Sequence, residues 1–450
     1  MVRRYIRLMA GMMVMILVAG CVKEDEDFEL PEKGQEGPPV KESFSFTDPA
    51  RDSFYNFDVT EVSIKTEGNR RINSKKTYIP CTVTVTANES IKGFEATAKI
   101  RGRGNSTWEW YAKKPYRLKL DESAQFLGLP KNRDWVFMAD YRDVTHLMNM
   151  VGFGLARCLE VPYANHIRYV HLELNGDDMG LYAVTEQVEE GGHRVVLDPD
   201  EGILLALDVN DGPDDEPDAT DNFWSDVYGT ACAVKYPDDA AGSDVDRVRE
   251  EFAVLEEAIE SMDWDEICSL LDVESMAGYL LAQEIMGNVE MNNGASIRSG
   301  YINRYCDTAK WVMGPIWDCD GGFSYDWSDM YDSRGWGHTY FGNYSYLVFG
   351  SDPYNRIGKY GSYPHWISDL FGVPEFVELV QDIWNDRNEK TLQYLLDLID
   401  MASASISGAA RHDLALWGIS NYSFRTQVSG LKNWLVSRFD YLDTVINAYP

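Results

Sequence analysis

Between residues 56 and 122 apolar side chains recur at every second position, which commits this part of the chain to half-buried strands. Val59-Thr60-Glu61-Val62-Ser63-Ile64 and Thr82-Val83-Thr84-Val85-Thr86 both alternate, and residues 96–100 continue the pattern. At Asp143 the period changes. Leu147, Val151, Leu155 and Cys158 fall on one helical face, with Asp143 placed as N-cap. Residues 167–174 and 181–188 predict a hairpin around Asn175-Gly176, and residues 203–209 a buried strand. After Ser243, the residues Val245, Val248, Phe252, Leu255, Ile259 and Met262 keep the three-and-four spacing of an amphipathic helix. A helix over about 273–287 carries Val273, Ala277 and Leu280 on one stripe, which Glu284 extends. A carboxylate there needs a partner unless it snorkels from the helix edge to water. Residues 311–317 read as an apolar strand. Helices then return with Phe376, Val380 and Trp384, over residues 392–398, and over about 427–446. The succession predicts an α+β protein with a strand-rich N-terminal part, a helical C-terminal part and a cleft between two lobes.

The first residues predict export. Arg3, Arg4 and Arg7 precede the apolar run 8–18, and Leu17-Val18-Ala19-Gly20-Cys21 has the form of a bacterial lipobox. Residues 1–21 are thus expected to be a lipoprotein signal peptide with Cys21 lipidated, the alternative being an ordinary cleaved signal. The acidic run Lys23-Glu24-Asp25-Glu26-Asp27 resembles surface-export signals of Bacteroidetes-type lipoproteins. Residues 22–52 are expected to form a disordered acidic tether, too poor in apolar residues to bury a core. These features together predict a cell-envelope protein held at the outer membrane by lipid alone and exposed at the surface. A net charge of -32 argues against nucleic-acid binding, since a polyanion would be repelled. The cysteines beyond Cys21 have neither CxxC nor Cys/His zinc spacing.

Against that acidity, residues 100–120 are out of character. Arg101-Gly102-Arg103-Gly104-Asn105-Ser106 can turn tightly with backbone N–H groups and guanidinium groups together, a way to cradle phosphate oxygens. Lys113-Lys114-Pro115-Tyr116-Arg117-Leu118-Lys119 follows. Alternation puts Lys113, Arg117 and Lys119 on one face and Lys114 with Tyr116 on the other. A solvated basic strand is the plainer reading. Asp318 and Asp320, two apart at the end of the apolar strand, would face one side in extended geometry and offer paired hard oxygens to a cation, with Gly321-Gly322 freeing the backbone beyond them. A turn capped by two aspartates is the alternative. The acidic loop 208–226 fails the EF-hand pattern, and Walker A, HRD, HExxH and GxSxG motifs are all missing.

Residues 103–108 and 113–120 closely resemble the "RGNSTW" and "KKPYRLKL" signature of the spore-coat-H (CotH-type) atypical protein kinases. Residues 135–145 are similar to that family's "W-x-L-x-A-D-x-x-D-x-T". Leu174-Asn175-Gly176 with Gly180-Leu181-Tyr182 and Glu186 resembles its "NG-x-x-x-GLY-x-x-x-E", and residues 314–320 its "GP-x-WD-x-D". The four motifs stand in family order. The resemblance implies that residues 53–450 form one CotH-like kinase domain, strand-rich over 53–210 and mainly helical over 243–450, with a two-lobed, protein-kinase-like fold. It implies ATP and Mg²⁺ or Mn²⁺ as cofactors and Ser or Thr of an exported protein as acceptor. Arg103, Asn105, Lys114 and Arg117 would bind the nucleotide, and Glu186 would pair with Lys114 or Arg117. Asp318, Asp320 and Ser296 would hold the metal. In residues 287–296 the family reads N-x-D, the Asp being the catalytic carboxylate; here Asn288 matches but the catalytic position holds Glu290. Ala206 also stands where the family often carries Glu. These departures keep open a second reading, a surface-anchored binding or adhesion module on the same fold without catalysis. The aromatics over 327–346 suit that reading, since they could stack on sugars.

Overall fold

A computed structural model describes residues 43–291, 297–324, 341, 344–345, 365–419 and 423–448. The predicted strands form as β1 (Thr60–Thr66), β2 (Ile79–Val85), β3 (Phe94–Gly102) and β4 (Tyr116–Ala124), joined by β5 (Asn132–Met138) and the hairpin β6 (Arg168–Leu174) and β7 (Asp177–Glu186). They close in the order β1-β2-β3-β4-β5-β7-β6, the last seam a parallel pairing of β1 with β6 that puts Val62 opposite Leu172. Alternation turns Ile64, Val83, Ile100, Leu118, Trp135, Leu172 and Val184 inward, and these side chains fill the barrel as a packed core.

Arg101 and Arg117, and Lys99 and Lys119, lie directly opposite on the outer face of β3 and β4. Like charges so placed repel. Asp134 of β5 offsets them, bonding Arg117 at 2.8 Å and Lys119 at 3.0 Å.

The second sheet has the order β12-β11-β8-β10-β9, from β8 (Ile203–Leu207), β9 (Asn222–Trp224), β10 (Ala231–Tyr236), β11 (Gly300–Arg304) and β12 (Trp311–Met313). Helices supply the other long elements. After the short α1 (Ser106–Trp110) come α2 (Met148–Cys158), α3 (Ser243–Ser261), α4 (Trp264–Leu270), α5 (Val273–Met286), α6 (His365–Leu370), α7 (Pro374–Leu416) and α8 (Phe424–Ile446). The strand-rich N-terminal part and helical C-terminal part thus stand as expected.

Several expectations are corrected in detail. Asp143 is not the residue before α2; it caps from further out, its Oδ2 accepting from Met148 N at 2.8 Å and its Oδ1 from Thr145 N at 2.8 Å. The segments around Phe376 and over 392–398 belong to a single 43-residue helix, α7. Glu284 does not snorkel: it has the partner a buried carboxylate needs, Arg438 of α8 at 2.6 Å, both side chains buried. The predicted tether ends early. Phe44 and Phe46 pack edge-on against Tyr394 of α7, and Asp52 pairs with Arg157. Two aromatic residues provide the apolar surface that the acidic tract before them lacks.

Candidate functional site

A cleft of about 1130 Å³ opens beside the barrel's basic face. From the barrel it is lined by Arg101, Arg103, Asn105 and Arg117, from the second sheet by Asp208, Lys235 and Tyr301, and from the segments that follow β5, α5 and β12 by Arg142, Glu290 and Asp318. Five of the sequence-predicted site residues, Arg103, Asn105, Arg117, Glu290 and Asp318, therefore share one space.

The turn that carries Arg103 depends on Gly104. Its φ is +83°, and a Cβ there would meet Thr107 Oγ1 at 2.3 Å, so a side chain is excluded both by conformation and by space. The Arg103 guanidinium lies over the Trp317 ring at 5.4 Å to the centroid. Asn105 accepts from Lys75 Nζ at 3.1 Å, which adds a cation that sequence reading did not single out.

Glu290 sits in a 3-10 turn, Val289–Met291, directly after α5, which ends at Gly287 in the left-handed region. Asn288 Oδ1 accepts from Glu290 N at 3.2 Å, and Glu290 O accepts from Arg298 N at 3.2 Å, so both sides of the turn are held. Gly321 packs against it: a Cβ at 321 would meet Glu290 Cγ at 2.7 Å.

Asp318 and Asp320 do not extend a strand. β12 ends at Met313; Asp318 is left-handed (φ 58°, ψ 52°), and Asp320 lies in a 3-10 turn, Cys319–Gly321. The tight turn still keeps the Asp320 carboxylate close enough to act electrostatically on Asp318. Arg142 holds Asp320 Oδ2 with Nε at 3.2 Å and Nη2 at 2.8 Å, and Asn149 Oδ1 accepts from Cys319 N at 3.0 Å. Thus α2 and the segment before it set the aspartate turn. Burial, then the Asp320 carboxylate, holds Asp318 above the usual carboxylate range; burial, then Asp318, does the same for Glu290.

Carboxylates that raise one another in this way suit a divalent cation, which removes the repulsion, and their hard oxygens suit Mg²⁺ or Mn²⁺. They form no closed cage. Among the described residues, the group of three or more His, Cys, Asp and Glu whose ligand atoms all lie within 4.8 Å of one another is His171, Asp178 and His412, away from the cleft. That fits a cation bound through one or two carboxylates and completed by phosphate oxygens.

Asp320, turned onto Arg142, does not itself line the cleft, and two more predicted residues fall elsewhere. Glu186 pairs with neither Lys114 nor Arg117; its carboxylate is bound by His166 Nδ1 at 2.6 Å and His166 N at 2.9 Å. As the last residue of β7 it faces a small pocket with Asn165 and Arg194, which adjoins the cleft through Gln187, Val188 and Glu189 but is not part of it. Lys114 precedes β4 and donates to Trp108 O, and it does not line the cleft. Lys113, expected on the face of Arg117, is instead buried against Asp413 at 2.8 Å, because β4 begins only at Tyr116. Ser296 and Cys21 lie outside the described residues, as do most of the aromatics over 327–346.

Arg142, Asn149, Asp208 and Tyr301 were not found from sequence. An arginine in the loop that leads to an apolar helix was the available signal for Arg142. Ala206 pairs with Tyr301 across β8 and β11, and cross-strand partners share a face, so a carboxylate at 206 would point to the cleft. This chain has none there.

A family model described as CotH kinase protein matches residues 100–442, well over half of the chain. No curated protein matches it.

Proposed function

The chain belongs to the CotH kinase protein family, and from that premise we propose that it transfers the γ-phosphate of ATP to Ser or Thr of an exported protein, assisted by Mg²⁺ or Mn²⁺. One observation carries the reading: a single cleft gathers the cations Arg103 and Arg117 and the carboxylates Glu290 and Asp318. In this reading the barrel and the second sheet with its helices act as the two lobes, and the nucleotide lies between them.

Arg103 and Arg117 grip phosphate oxygens, for which a guanidinium fork is suited. Asp318, with Asp320 steered by Arg142, provides the cation site. A cation bound there supplies charge neutralisation on the phosphates. Glu290 orients the acceptor hydroxyl and takes its proton as the acceptor oxygen–phosphorus bond forms and the bond to the β-phosphate oxygen breaks. Tyr301 and Trp317 narrow the cleft and limit water. A lipid on Cys21 would keep this domain at the outer membrane.

Calorimetry of ATP binding with and without Mg²⁺ tests the reading, with binding expected only when the cation is present. Arg103→Ala or Arg117→Ala should weaken ATP binding by ~1.5–3 kcal/mol, the value of a hydrogen bond to a charged group. Lys114→Met should leave it unchanged, since Lys114 lies outside the cleft. Equal affinity in all three variants would reduce the basic face to a solvated surface.

The second reading, a binding module on the same fold, is favoured by Glu290 and Ala206. Glu is longer than Asp by one methylene, and a misplacement of about 1 Å can cost on the order of 10²-fold in rate. Glu290→Asp should therefore raise turnover in a kinase and change nothing in a binding module. Steady-state rates with both metals decide between them.

A further inference from the structure

The strongest unassigned cluster lies on the outside of the barrel, where α7 crosses the β6–β7 hairpin. His171 of β6 and His412 of α7 approach the same carboxylate, Asp178 of β7. His171 Nε2 is 2.7 Å from Asp178 Oδ1, and His412 Nε2 is 2.6 Å from Asp178 Oδ2. The three ligand atoms lie within 4.8 Å of one another. On its other side, His171 Nδ1 faces Glu61 of β1, 3.0 Å from Oε2.

That last contact fixes the chemistry. When Nδ1 carries a proton toward Glu61, Nε2 of a neutral ring presents a lone pair to Asp178, and two acceptors at 2.7 Å repel. The other neutral tautomer instead sets the Nδ1 lone pair against Glu61, so both contacts are satisfied together only by a second proton on the ring or by a metal ion in place of one. A ligating histidine whose remaining N–H is held by a carboxylate is the usual second shell of such an ion. The cluster is also preorganised. Asp413, next to His412, is buried; it pairs with Lys113 at 2.8 Å and accepts from Leu181 N at 2.8 Å, which pins this part of α7 to β7. His412 and Asp178 remain open to solvent, so an ion can enter and water can complete its shell.

We propose that His171, Asp178 and His412 form a binding site for a zinc-class divalent cation, one that ties the C-terminal end of α7 to the β6–β7 hairpin. Two imidazoles and one carboxylate suit Zn²⁺, Ni²⁺ or Co²⁺ rather than Mg²⁺ or Ca²⁺. The site is separate from the cleft and does not depend on the reaction proposed there.

The test is calorimetric titration of the metal-stripped whole protein with Zn²⁺ at neutral pH, paired with thermal melting. The wild type and Asp318→Asn, which alters only the cleft, should both bind an equivalent at this site and melt at higher temperature with Zn²⁺. His412→Ala, a change at a half-exposed helix position, should lose that equivalent and the melting shift. Glu61→Gln should keep the equivalent but bind it roughly 10- to 100-fold more weakly. The proposal is overturned if the stripped protein takes up no Zn²⁺. It is equally overturned if His412→Ala binds Zn²⁺ with unchanged stoichiometry and affinity; the cluster would then be an imidazolium–carboxylate contact held by protons.

Discussion

Asp318→Asn is expected to lower phosphate transfer by roughly 10²- to 10³-fold, the cost of removing one preorganised charge-stabilising group, while leaving the fold intact. The substitution keeps shape and alters charge. Asp318 is left-handed at φ 58°, a conformation Asn tolerates well, and its Oδ2 accepts from Ser299 Oγ at 3.2 Å, a bond an amide oxygen can retain. The raised affinity of Asp318 for a proton, which burial and Asp320 cause, marks a position that favours positive charge, and the amide removes that preference. Asp320→Ala is a poorer experiment. It would strip the buried Arg142 of a 2.8 Å counter-ion, at a cost of ~3–5 kcal/mol. Loss of activity there would report a damaged fold. Initial rates with labelled ATP, alongside urea melts of both variants, separate the two effects. An Asp318→Asn protein with unaltered rates would show that the aspartate turn only shapes the loop.

Arg438→Leu is expected to destabilise the protein by ~3–5 kcal/mol, as for other broken buried ion pairs. Its guanidinium lies between α5 and α8 with no exposed surface, bonding Glu284 Oε1 at 2.6 Å and Tyr344 O at 2.8 Å. Leucine would leave a buried carboxylate facing an apolar side chain, and Glu284 would ionise only at a large desolvation cost. Adding Glu284→Met should recover part of the loss, because the stranded charge goes with it. Urea denaturation of the single and double variants measures both. A single variant as stable as wild type would mean that this pair contributes nothing to the packing of α5 on α8. Because α5 leads directly into the Glu290 turn, Arg438→Leu should also slow turnover through looser positioning.

What sequence revealed and what it hid follow from the range of each signal. Strand alternation near Val62, Val83 and Ile100 names the buried face, and it did so correctly. It says nothing of partners, so the parallel seam between β1 and β6, which brings Thr60 opposite Val170 and closes the barrel, was invisible. The hairpin at Asn175-Gly176 was legible because both halves of that signal are local: Asn175 and Gly176 take positive φ. The continuity of α7 was hidden by its polar stretch around Asn388 and by the small residues after Met401. Ala402, Ile406 and Ala410 are buried at intervals of four, a seam too small in side-chain volume to stand out as apolar periodicity. At the site, Arg103, Asn105, Arg117, Glu290 and Asp318 line one cleft. Lys114 and Glu186 do not, since each found a partner within a few residues or across one hairpin. The extended geometry assumed for Asp318 failed because Gly314-Pro315 ends strand pairing, and the chain turns at once to keep Cys319 under α2. Arg142 and Asn149, which set that turn, act over more than 165 residues of sequence and left no local mark.

Phosphate transfer in the cleft is tested by following the γ-phosphate itself. Purified protein is incubated with γ-labelled ATP and Mg²⁺ or Mn²⁺ and an acceptor protein rich in exposed Ser and Thr, and the modified residues are identified by mass spectrometry. Phosphate transfer by this cleft predicts label on Ser or Thr in the presence of one of these cations, reduced with Asp318→Asn and increased with Glu290→Asp. Absence of label with both cations, together with a Glu290→Asp variant that is equally silent, would contradict it and leave a binding module on a kinase-family fold.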